Sequence, residues 1–173
     1  IDTLKRLEDY IDIYLMDFKY IDSCKAQMYS NAFNYPDLCK NALIEVYKQQ
    51  SNCILKDGIM QKGVIVRHLL MPQSTNDAIY IFDWVKETLP NSCFSLMSQY
   101  LPLYKASDMP IINRKITKRE YEKVVNYILE SGFELGNHGY FHKDHKSISE
   151  KANYNEIYNC NQIVYKLTGF KMN

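Results

Sequence analysis

Short apolar, β-branched runs alternate with longer helix-like segments along the whole chain, and this alternation restricts the fold more than any other feature. It is the pattern of parallel strands joined by helical crossovers, and it places the chain in the α/β class. Four strand-helix units can be drawn. The first pairs IDIYLMDF (residues 11–18) with a helix over about 35–50, where Tyr35-Pro36-Asp37 supplies the start and Pro36 suits the first turn. After a turn at Asp57-Gly58, the second pairs GVIVRHLLM (63–71) with a helix over about 75–89, bounded by Pro72 and Pro90. The third has CFSLMSQY (93–100), a long irregular loop and the helix ITKREYEKVVNYILESG, in which Thr117 and Glu120 form a capping box and Gly132 closes the end. The fourth pairs FELGN (133–137) with a helix over about 150–167, closed by Gly169. Four units match an incomplete (β/α) barrel or a small open sheet, and periodicity does not separate the two.

Composition narrows the function classes. With 46% hydrophobic and 24% charged residues, the 173-residue chain is an ordinary globular one, long enough for a core. A net charge of +1 without like-charge runs argues against a nucleic-acid partner, and no apolar run approaches the roughly 20 residues of a membrane span. The five cysteines are odd in number, widely spaced and without CxxC, so they are expected to be free thiols in a reducing, cytoplasmic setting. The chain opens on Ile1 and stops at Lys171-Met172-Asn173 directly after a helix, so it is expected to be a piece of something longer.

In sheets of this kind the polar residues at the C-terminal ends of strands are the functional candidates. At the first strand end, alternation puts Asp17 and Lys19 on one face. The second strand carries Arg67-His68 in its middle, where a cation needs an anionic partner. The third ends in Ser98-Gln99-Tyr100. Two cations and a carboxylate suit a zwitterionic or carboxylate-bearing ligand. The alternative is an internal Asp17–Arg67 ion pair with Lys19 in solvent.

From about residue 11 to 133, the blocks DIYLMDFKYIDSCKAQMYSNAFNYPD, GVIVRHLLMP, SLMSQYLPLYKA and INRKITKREYEKVV resemble, in order, the C-terminal half of radical S-adenosylmethionine proteins of the pyruvate formate-lyase-activating type. The resemblance implies a partial (β/α) barrel, with Asp17 and Lys19 near bound S-adenosylmethionine and Arg67 contacting that cofactor. Two positions depart from the pattern: Tyr100 lies near a place where activating enzymes often carry a His, and Gln73 stands where a Gly usually follows Met71-Pro72. The CxxxCxxC loop that holds the family's [4Fe–4S] cluster has no counterpart here, so this chain cannot start radical chemistry alone.

A second concentration of chemistry is Asn137-His138-Gly139-Tyr140-Phe141-His142-Lys143-Asp144-His145, with three of the four histidines. His138 and His142, four residues apart, can reach one metal through imidazole nitrogens, and Asp144 or His145 can add a ligand or orient one. A surface turn with solvated histidines is the plainer alternative. ESGFELGNHGYFHKDH and the following NEIYNCNQIVYKLTG, about residues 130–170, resemble the middle of a polysaccharide (chitooligosaccharide) deacetylase. The resemblance implies His138 and His142 as ligands of zinc or a similar divalent metal, which polarises an N-acetyl carbonyl and activates water. The general base of that family comes from an Asp-Asp motif, and this sequence has none.

The two resemblances meet at Ser131-Gly132-Phe133-Glu134, which implies a chimera with residues 1–133 from one parent and 134–173 from the other, in one continuous sheet. The expectation is a chain not catalytically complete alone, the remnant of a radical S-adenosylmethionine enzyme or of a carbohydrate deacetylase, or else a non-catalytic interaction module. A half barrel leaves sheet edges and an apolar face open, so a homodimer or a complementary chain is the expected partner.

Overall fold

The computed structural model describes residues 1–57, 59–132, 149 and 151. The chain divides into two compact units, Ile1–Val124 and Val125–Asn173. In chain order the described elements are α1 (Asp2–Lys5), β1 (Ile13–Asp17), α2 (Ser23–Ser30), α3 (Tyr35–Gln49), β2 (Ile54–Lys56), β3 (Ile59–Leu69), α4 (Thr75–Thr88), β4 (Cys93–Met97), a 3₁₀ turn (Tyr104–Asp108) and α5 (Lys118–Glu130). The α/β class holds. The expected fourth unit, strand 133–137 and helix 150–167, lies outside the described residues.

The long strand β3 is central. Parallel β1 flanks it with Ile13 opposite Gly63 and Asp17 opposite Arg67, and parallel β4 flanks the other side with Ile65 opposite Cys93 and Leu69 opposite Met97. The four-stranded sheet is open among the described residues, which fits a small open sheet and does not confirm a barrel. Closing a barrel needs strands to bond around a full ring, and a local run of apolar residues carries no information about that global register.

Two local readings need correction. The turn at Asp57, which has φ +53°, joins a short β2 antiparallel to the start of β3, so β3 begins at Ile59 rather than at Gly63. β2 escapes the pattern because all three of its residues are exposed and no apolar alternation marks it. The third strand is shorter than its apolar run: it ends at Met97, ahead of Ser98-Gln99-Tyr100.

Alternation decides which side of the sheet is covered. Tyr14 and Phe18 of the first strand segment and Val64 and Val66 of β3 point one way. There they pack with Leu43 and Val46 of α3 and with Ile81 and Val85 of α4 in one buried cluster. The helices supply these residues at three- and four-residue spacing, one apolar stripe each. Intervening residues face away: Ile13 and Leu15 are exposed, and Ile65, Arg67 and Leu69 only half-buried. One face of the parallel sheet is therefore core, and the other keeps access to solvent.

The capping box forms. The Thr117 N–H donates to the Glu120 carboxylate at 2.7 Å, and the Glu120 N–H donates to the Thr117 hydroxyl at 3.2 Å. Glu120 also grips both arms of the Arg114 guanidinium at 2.7 and 2.8 Å and accepts from the Gln73 N–H at 2.8 Å. Arg114 above all, then these N–H donors, hold the Glu120 carboxyl well below the usual carboxylate range. Gln73 has φ +57°, a left-handed conformation that explains why glycine suits this position.

Candidate functional site

The ends of β1 and β3 bring the first three candidates together. Because Asp17 pairs with Arg67 across the ladder, both side chains leave the open face side by side. The Arg67 guanidinium places Nε and Nη2 each 2.8 Å from Asp17 Oδ1, and Lys19 Nζ stands 3.4 Å from Oδ2. One carboxylate thus lies between two cations. All three side chains keep between 30% and 45% of their exposure, so a ligand can reach them. The local excess is one positive charge, on a face without helix cover from α3 or α4.

The backbone beneath this triad is fixed from behind. The Asp17 carbonyl accepts the Tyr35 hydroxyl at 2.9 Å and the Cys39 thiol at 3.4 Å, and the Tyr35 oxygen accepts the Lys19 N–H at 3.0 Å. Tyr35 and Cys39 sit four residues apart on one face of α3, so a single helix turn secures the strand end. Burial pushes the Cys39 thiol up to about 11, which keeps it protonated and a structural donor rather than a nucleophile at neutral pH. Burial likewise raises Tyr35. On the β3 side, the Phe18 N–H donates to the Arg67 carbonyl at 2.9 Å. The Phe18 carbonyl accepts His68 Nδ1 at 2.7 Å, which requires the proton on that nitrogen. These supports were not singled out from sequence, although the Tyr35/Cys39 spacing was a usable signal.

His68 belongs to the core rather than to the open face. It is 1% exposed, and its Nε2 has no hydrogen-bond partner among the described residues. Burial, opposed by the Phe18 carbonyl and Asp77, lowers its pKa and keeps the ring neutral. Asp77 itself is paired with Lys25 of α2.

The third strand end contributes less than expected. Ser98 and Gln99 are exposed, while Tyr100 is buried with Met71, Ala106 and Ile112, its hydroxyl donating to the Ile112 carbonyl at 3.0 Å. Tyr100 therefore anchors the loop after β4, because an aromatic ring there fills a small apolar pocket and its one polar atom is satisfied. His138 and His142, the proposed metal ligands, lie outside the described residues. Among the described residues no group of three His, Cys, Asp or Glu side chains could hold a metal ion, and no helix is long and apolar enough to cross a membrane.

Comparison with known proteins supports one of the two resemblances. The polysaccharide deacetylase family model matches residues 89–173, a stretch that includes β4, α5 and the histidine-rich segment. That family is metal-dependent in general, which fits a divalent ion. The radical S-adenosylmethionine part of the expectation finds no support in the comparisons. The chain is also 32% identical over 126 residues to an uncharacterized protein of Methanocaldococcus jannaschii, covering 72% of this chain and 33% of that protein. It thus spans about a third of the relative's length. The stretch shared with that relative is longer than the deacetylase match, so it includes residues upstream of Leu89. No solved structure matches the chain.

Proposed function

We propose that the chain carries the metal-binding segment of a polysaccharide deacetylase, a hydrolase acting on carbohydrate N-acetyl groups, with His138 and His142 as ligands. The observation that carries this reading is the family match over residues 89–173, which contains Asn137-His138, His142 and the Leu167-Thr168-Gly169 that follows them. Two neutral imidazoles are a donor set suited to zinc or a similar divalent ion. A metal bound there supplies Lewis-acid polarisation of an acetyl carbonyl and activation of water. With no Asp-Asp pair in the sequence, the assignment is limited to metal ligation and gives no residue of this chain the role of base. Calorimetric titration with zinc should show one binding event in the wild type and none in the His138→Ala/His142→Ala double variant. Equal heats for the two proteins would remove the reading.

A second reading rests on a separate observation, the convergence of Asp17, Lys19 and Arg67 on the open face. A paired carboxylate and two cations complement a zwitterionic amino acid group, and the resemblance of residues 11–133 to radical S-adenosylmethionine proteins supplies a candidate in S-adenosylmethionine. The chain lacks cluster ligands, so the reading is of a binding site and not of radical chemistry. Equilibrium dialysis with S-adenosylmethionine should show binding that Arg67→Ala weakens about 10-fold or more, the effect of one charge-assisted hydrogen bond. Absence of binding by the wild type would dismiss it.

A further inference from the structure

We propose that Cys53 and Cys93 are a redox-responsive pair that closes to a disulfide and ties the arm formed by β2 and β3 to β4. Their sulfurs are 3.6 Å apart although 40 residues separate them in the chain. Cys53 directly precedes β2, whose Ile54 pairs with Lys62, while Cys93 opens β4 opposite Ile65. The two thiols therefore meet across β3, near its midpoint.

Gly63 makes this approach work. A Cβ at that position would come within 3.1 Å of the Cys53 Cα, and its φ of +135° is one that other residues rarely adopt. The missing side chain lets the backbone at Cys53 lie against β3 and carries its thiol over to the neighbouring strand. Both cysteines are half-buried, so a small oxidant can reach them, whereas Cys39 is buried and engaged with the Asp17 carbonyl.

The chemistry needs a low-molecular-weight disulfide such as glutathione disulfide as oxidant. The Cys53 thiolate, having lost its proton to water, attacks one glutathione sulfur, forms the mixed disulfide and expels one glutathione thiolate. Cys93 then loses its proton, attacks the Cys53 sulfur and expels the second glutathione thiolate, so that two protein thiols are oxidised and one glutathione disulfide is reduced to two thiols. In the dithiol state burial and the neighbouring Cys53 push the Cys93 thiol up to about 11, so its thiolate is scarce, and the second step relies on the proximity of the two sulfurs. The link lies at the N-terminal end of β4, opposite the strand ends that carry Asp17 and Arg67.

The test is incubation of the native 173-residue chain with glutathione disulfide, followed by peptide mass mapping and thermal unfolding. The expected result is loss of the Cys53 and Cys93 thiols, a linked peptide pair containing the two residues, and a midpoint raised by about 5–10 °C that dithiothreitol reverses. Cys93→Ser should stop at a glutathione adduct on Cys53 without the rise, and Cys53→Ser should yield no internal link. Circular dichroism checks that each variant is folded. Stable glutathione adducts on both cysteines of the wild type, or a link through any other cysteine, would overturn the proposal.

Discussion

Phe18→Ala is expected to lower the unfolding free energy by about 3–5 kcal/mol, the usual result of truncating a fully enclosed aromatic ring. Phe18 is completely buried, meets Trp84 edge-to-face with ring centroids 5.6 Å apart, and lies in the cluster that joins β1 and β3 to α3 and α4. The loss combines the transfer of the ring's apolar surface with the cavity left among residues too constrained to collapse fully. Domains of this size are stable by only about 5–15 kcal/mol, so the variant should be marginal at room temperature. In urea the midpoint should fall sharply with little change in slope, since the surface exposed on unfolding is nearly the same. Tyr10→Ala, at a position 82% exposed, is the control and should stay within about 0.5 kcal/mol of wild type. A loss below 1 kcal/mol for Phe18→Ala would mean that the sheet and helices do not share this core.

The same residue ties stability to the site. Phe18 stands between Asp17 and Lys19, and alternation sends its ring into the core while its neighbours emerge on the open face. Its N–H and carbonyl are held by the Arg67 carbonyl and His68. Loosening Phe18 should therefore disturb the distances among Asp17, Lys19 and Arg67 as well as the fold.

How much of this was legible in the sequence depended on whether the signal was local. Pro36, the Thr117/Glu120 box and Gly132 marked the limits of α3 and α5 to within a residue or two, because caps act on their own turn. The shared face of Asp17 and Lys19 followed from strand alternation, and the need of Arg67 for an anion from the expense of desolvating a cation. What escaped was non-local or unpatterned. In α2 only Ala26 is buried, so no apolar stripe announced the helix, although Asp22 capping the Lys25 N–H and a left-handed Asn31 mark its ends. The meeting of Cys53 with Cys93 depends on the register of three strands and on Gly63, and neither cysteine's neighbours in sequence reveal it. The 3₁₀ turn and the burial of Tyr100 likewise come from packing of the loop after β4, which had read simply as irregular.

As the pH falls below about 6.5 the protein should lose stability through His68, and His68→Asn should remove that part of the loss. Burial holds the folded-state pKa of this ring below its ordinary value of 6.5, while the unfolded chain titrates near that value. In the window from about 6.5 down to the folded pKa, the unfolded state binds a proton that the native state refuses. The derivative of the unfolding free energy with pH is then positive, and stability falls as the solution is acidified, by at most about 1.4 kcal/mol per pH unit for one proton. Asparagine does not titrate, yet its amide N–H₂ can still donate to the Phe18 carbonyl, so the hydrogen bond that steadies the strand end is retained. It also removes Nε2, the buried nitrogen left without a partner among the described residues. Urea denaturation at several pH values should give a shallower slope for His68→Asn than for wild type, with the curves separating below about pH 6.5. NMR should show a His68 ring that titrates below its ordinary value of 6.5. Parallel curves for the two proteins, or a His68 ring that titrates at its ordinary value, would show that the imidazole is not enclosed in the core as the geometry requires.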